Sequence, residues 1–142
     1  MTNKVIKTSI SIGPQGPTGP EGPIRKFVEI RVLGDVEFRS VDTNVGGDFR
    51  LPFAGTITDA GAYVDTVGTT GTAIVDILLN GSTIMTTDKI NIDSGLKNSE
   101  NSSIQPVVTT SAYVRLDIFT FDITQVTSTP GNGLVVWLDI LT

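Results

Sequence analysis

The chain of 142 residues contains no cysteine and no histidine. Without cysteine no disulfide staples the fold, and the redox compartment leaves no mark on the sequence. Without either residue, Ser-His-Asp and Cys-His nucleophilic systems cannot be built, and ordinary zinc sites lose their usual ligands. The residues therefore point away from an enzyme, with no catalytic, cofactor or metal site expected. Basic residues are also scarce and scattered. Ten Lys and Arg stand against fifteen Asp and Glu, a net charge of −5. A nucleic-acid binder needs a clustered basic surface, and so does a protein that docks on anionic lipid, so neither partner is expected. Apolar runs are short; none approaches the 18 or so residues of a membrane helix. The first residues, MTNKVIKTSISIG, lack the apolar core of a secretory signal.

What is present begins at Gly13. Gly13, Gly16, Gly19 and Gly22 recur every third residue, each followed by proline: Pro14, Pro17, Pro20 and Pro23. Glycine at period three is the demand of a collagen triple helix, where only hydrogen fits at the crowded axis. The run predicts a parallel homotrimer; the bland alternative is a flexible Gly/Pro linker in polyproline II. At ~3.1 Å per residue the stalk over 13–24 would span roughly 35 Å. Four triplets are a spacer and alignment device more than a source of trimer stability. Before it, residues 1–12 form an arm with Val5, Ile6, Ile10 and Ile12 as candidate anchor residues. Such an arm either hooks into a larger assembly or is simply a disordered terminus.

From residue 25 the pattern is β. FVEIRVL (27–33) alternates Val28, Ile30 and Val32 against Glu29 and Arg31, and a second run is expected over 36–41. Residues 56–64 read as a strand with an irregularity at Gly61. TAIVDILL (72–79) is followed by Asn80-Gly81 and STIMTT. Asn-Gly between two β runs is a strong hairpin signal, because a type I′ turn needs φ > 0 at both positions. Residues 93–106 are the longest polar loop. In 112–123 the apolar phase flips between Ile118 and Phe119, which calls for a bulge or a bend that switches sheets. LVVWLDIL (134–141) is apolar on both faces apart from Asp139, so it is expected to be central. Eight or so strands without a helix period predict an all-β, antiparallel sandwich, jelly-roll-like, over residues 25–142.

Phe119, Phe121, Leu134, Val136, Leu138 and Trp137 are the candidates for core and trimer packing. Trp137, Tyr63 and Tyr113 could instead stack on a sugar ring, and Asn98, Asn101 and Ser102 in the long loop could hydrogen-bond a glycan. The carboxylates Asp76, Asp117, Asp122 and Asp139 are expected on outward strand faces, where solubility explains them; acid/base work, and a Ca²⁺ ion at a loop or on the trimer axis, are the other readings.

Residues 51–87 carry Gly55-Thr56-Ile57, Ala62-Tyr63-Val64, Gly71-Thr72-Ala73 and Asn80-Gly81. Together with Leu116-Asp117-Ile118, Gln125-Val126 and Thr129-Pro130-Gly131, this stretch resembles a β-domain of tailed-bacteriophage structural appendages. The resemblance covers roughly 51–140. It departs where Ser111-Ala112, rather than Gly-Asp, precedes Tyr113. It implies a homotrimeric virion protein, a head fibre or capsid-decoration protein anchored to a major capsid or other virion protein by its arm. The alternative is a tail-fibre or adhesin tip that touches host-surface glycans.

Overall fold

A computed structural model describes residues 22–142. The arm residues Val5, Ile6, Ile10 and Ile12, and Gly13, Gly16, Gly19, Pro14, Pro17 and Pro20 of the repeat, lie outside the described residues. Gly22 and Pro23 lie inside them and are exposed.

The described chain is all-β, with no α-helix, and every strand pairing is antiparallel. The strands are β1 (Arg25–Arg31), β2 (Phe49–Arg50), β3 (Gly55–Thr66), β4 (Thr72–Leu79), β5 (Ser82–Thr83), β6 (Ile90–Asp93), β7 (Ala112–Tyr113), β8 (Ile118–Gln125) and β9 (Asn132–Leu141). Sheet A has the order β1-β9-β3-β7. Sheet B runs β2-β8-β4-β5, with β6 also paired to β4. β5 and β6 lie along the same edge of β4, opposite its two ends. Between them Ile84 still donates its N–H to the Ile77 carbonyl at 3.0 Å; the chain then leaves the ladder, with Ile84 and Met85 both fully buried. STIMTT thus gives a strand of only two residues.

One apolar core lies between the sheets, and it follows from strand parity. Ala73, Val75 and Ile77 of β4, Phe119, Phe121 and Ile123 of β8, and Leu134, Val136, Leu138 and Ile140 of β9 all point inward. β9 lies inside its sheet between β1 and β3, as its two-faced apolar sequence requires. The hairpin turn is where Asn-Gly puts it. Asn80 has φ 50° and Gly81 φ 88°, and Leu79 pairs with Ser82. The phase flip in 112–123 is a change of sheet. β7 belongs to sheet A and β8 to sheet B. The turn between them is closed by the Asp117 carboxylate accepting from the Val114 N–H at 2.9 Å, with Leu116 at φ 68°.

Two expectations are corrected. Residues 36–41 are not a strand; only Glu37 makes a bridge, to Asn132. This segment instead inserts Phe38 into the core beneath Gly131, whose carbonyl accepts the Phe38 N–H, and leaves Val36 and Val41 exposed. The register shift in β3 falls between Ile57 and Asp59, not at Gly61.

Candidate functional site

The outward face of sheet A is built row by row from its register. Glu29 lies opposite Trp137, and Trp137 opposite Gly61. Phe27 lies opposite Asp139, and Asp139 opposite Asp59. Val135 stands between Arg31 and Tyr63. Trp137 is therefore not part of the core cluster, although it is buried. Its indole lies across Gly61, where a Cβ would come within 2.3 Å of Cζ2. Only glycine leaves room for a flat ring against the β3 backbone. Phe27 covers it from the other side, ring centroids 5.6 Å apart and tilted by 30°. Phe27 itself is 60% exposed, the one aromatic among the exposed large apolar residues described.

Charge flanks this aromatic shelf along β1, and most of it is paired. Arg25 donates to Asp139 at 2.7 Å. Arg31 donates to Asp65 at 2.9 Å, and that hydrogen bond raises the Arg31 pKa above its ordinary value. The Tyr63 hydroxyl donates to Glu29 at 3.3 Å. Its pKa is raised, first by desolvation and then by the Glu29 carboxylate.

The loop after β6 forms the far wall. The Val64 N–H bonds the Lys97 carbonyl at 2.8 Å, and the Ala62 N–H bonds Ser99 Oγ at 2.9 Å. Asn98 Oδ1 accepts from the Asn101 N–H and caps the single 3-10 turn Ser99–Asn101. Asp93 fastens the rest. Its carboxylate accepts from the Ser103 N–H at 2.8 Å and the Thr72 hydroxyl at 3.0 Å. Its own N–H donates to Ser102 Oγ. The Ser103 backbone N–H is the main reason its pKa is lowered. Between this wall and the aromatic pair lies an open groove of about 540 Å³, floored by Tyr63 and Trp137 and edged by Glu29, Asn98 and Glu100. A second recess, of about 400 Å³, lies on the other side of the pair beside Asp59, Gln105 and Asp139. There Asp139 Oδ1 is buried without a hydrogen-bond partner among the described residues.

Of the loop residues picked out by sequence, Asn98 lines the groove. Asn101 is exposed outside its lining, and Ser102 is buried as an internal hydrogen-bond acceptor. Phe119, Phe121, Leu134, Val136 and Leu138 lie in the core of a single chain with 2% exposure or less, so their side chains have no surface left to offer a neighbour. Tyr113 is also inside, edge-on to Phe119. The four strand carboxylates are spread over the fold. Asp76, against the expectation of a solvated position, is buried and ion-paired with Lys89 at 3.0 Å; Asp122 accepts from the Asn44 N–H, Asp117 closes its turn, and Asp139 pairs with Arg25. Among the described residues no group of three or more carboxylates is disposed to hold a metal ion. Phe27 is a site residue that the sequence candidates do not include. Its signal is parity: in FVEIRVL it shares the outward phase of Glu29 and Arg31, where an aromatic has no core to enter.

Comparison with family models, with curated proteins and with solved structures finds no match for this chain. Chemically, a flat aromatic shelf with carboxylates and an amide at its rim can receive either a sugar ring or the side chains of another protein surface.

Proposed function

We propose that the protein is a structural appendage subunit of a bacteriophage virion, a head-fibre or capsid-decoration protein. In it three chains share a GPx stalk, three β-domains project from the stalk's end, and the N-terminal arm binds a capsid protein. The two sheet orders support a jelly roll: the chain passes repeatedly between sheets, with its first and last strands adjacent in sheet A.

The observation that carries the proposal is the joint between repeat and domain. The last triplet is Gly22-Pro23-Ile24, and Ile24 is already hydrogen-bonded into the fold. Its N–H donates to the Thr142 carbonyl at 2.9 Å, and its carbonyl accepts the Thr142 N–H at 2.8 Å. No slack separates the stalk from β1. A triple helix ending at Gly22 would therefore fix three domains side by side in one register, which a flexible linker would not do. The alternative of a glycan-binding adhesin tip has the aromatic groove in its favour.

Sedimentation equilibrium of the full chain tests the assembly, with an expected mass three times the 15.0 kDa of one chain. A Gly16→Val variant should lose the triple-helical circular-dichroism signal yet keep that mass. A monomeric wild type refutes the proposal. Antibody labelling of purified particles places the protein: label over the capsid supports the decoration reading, label at the tail tip the adhesin, and unlabelled particles refute both.

A further inference from the structure

We propose that the aromatic shelf of sheet A, Phe27 stacked on Trp137, is a subunit contact occupied by a second copy of this chain. The inference rests on the trimeric reading above and adds where the copies touch.

Position argues for it first. In a triple helix Gly22 lies at the common axis. Phe27 is five residues further along, so it is at most about 18 Å from Gly22 even in a fully extended chain. A domain of this size has a radius of gyration of about 14 Å. Phe27 therefore falls on the axial half of each domain, where neighbouring domains meet. Ile24, also exposed, lies just before β1 and still closer to the axis.

Composition argues for it second. A subunit contact has an apolar, aromatic centre and a polar rim with paired charge. The shelf has Phe27 and Trp137 at its centre, Arg25–Asp139 on the stalk side and Arg31–Asp65 on the other. The outward face of sheet B has no such centre: at its middle Asp76 and Asp122 face each other across β4 and β8. Contacts in a three-fold ring are heterologous, so the shelf needs a different surface of the neighbour, not itself. The groove of about 540 Å³ beside Trp137 gives that surface room to insert side chains.

The absence of cysteine makes the test clean, because any introduced thiol is unique. Phe27 and Val41 are equally exposed in the single chain, at 60% and 61%, and Val41 lies over sheet B beside Asp122 and Thr124. Phe27→Cys and Val41→Cys are labelled separately with a polyethylene-glycol maleimide, and the mass of each unlabelled variant is measured alongside. Two results support the proposal. Either both variants stay trimeric and labelling at position 27 is slowed about tenfold or more relative to position 41, as when reagent must wait for a contact to open, or Phe27→Cys alone loses the trimer. Equal labelling rates in two trimers overturn it, and so does loss of the trimer through Val41→Cys alone. Equal rates that fall at position 27 only when a saccharide is added overturn it in favour of a glycan site. A monomeric wild type fails the trimeric reading itself, a result distinguishable from all of these.

Discussion

Gly61→Ala should destabilise the domain through Trp137. Gly61 has no left-handed φ, so alanine fits its backbone and would stabilise by ~0.4–1 kcal/mol through the unfolded chain if space allowed. Space does not allow it. The added Cβ would lie 2.3 Å from Trp137 Cζ2, 2.5 Å from Cε2 and 2.8 Å from Ser99 Oγ. The indole cannot yield easily, being held between the β3 backbone and Phe27. Overpacking of this kind costs about 1–3 kcal/mol. Pushing Ser99 away also threatens its bond to the Ala62 N–H, worth about 1 kcal/mol more. The net expectation is a loss of about 2 kcal/mol, or roughly 6–10 °C in melting temperature for a domain of this length. Thermal melts at matched protein concentration read it, since the proposed assembly would make stability concentration-dependent. The single tryptophan supplies a second reading: its emission should shift to the red as the indole is displaced. In a Trp137→Ala background the alanine should be tolerated, giving a coupling of at least about 1 kcal/mol in the double-mutant cycle. A Gly61→Ala protein that melts at or above the wild-type temperature, with unchanged emission, would refute the placement of Trp137 against β3.

Two further outcomes follow from the polar groups. The folded-state pKa of Asp93 is lowered, so its contribution is complete above the unfolded value of 3.8 and is lost as pH falls through the lower folded value. Asp93→Asn should thus melt below wild type at neutral pH, by an amount that stays constant down to about pH 5 and closes at lower pH; a pH-independent difference would contradict the pairing with Ser103. The Tyr113 hydroxyl is buried with no partner among the described residues, and burial pushes its pKa up to about 12. Tyr113→Phe should therefore be neutral or stabilise by up to ~1–2 kcal/mol, while a loss above ~1 kcal/mol in urea unfolding would mean that the hydroxyl has a partner after all.

The fold was most legible where periodicity and turn chemistry agree. TAIVDILL-NG contains a strand, its inward set and its turn, because parity and the φ > 0 requirement are local properties. The flip at Ile118–Phe119 was legible as a conflict: one strand cannot bury both parities, so the chain had to change sheets. The exact place was not legible, because Val114 and Leu116 are apolar yet exposed in the crossing turn, which no local pattern separates from strand. VEFRSV (36–41) misled for the opposite reason. It alternates correctly, but no neighbour offers it a ladder, and a single buried phenylalanine, Phe38, satisfies the core without one. β6 was missed because Ile90 and Ile92 are only two inward positions, and their strand identity comes from β4 alongside.

The candidate site lies in the part of the sequence that alternation describes least well, the outward face of a strand apolar on both sides. Trp137 could be core or surface from LVVWLDIL alone. What decides it is two residues distant in the chain: Gly61, which vacates the space opposite, and Phe27, which closes over the ring. Neither pairing is visible without the register β1-β9-β3. Yet the reason to look there is in the sequence. An aromatic on the solvent parity of the first strand, five residues past the last glycine of a GPx repeat, exposes apolar area that water disfavours. In a lone domain that exposure is a cost with no return. In the proposed arrangement of three domains joined at Gly22 it would fall close to the axis, where assembly would remove the same area from water. The GPx repeat and the shelf are thus separate features of the chain that a single arrangement of three copies would make use of together.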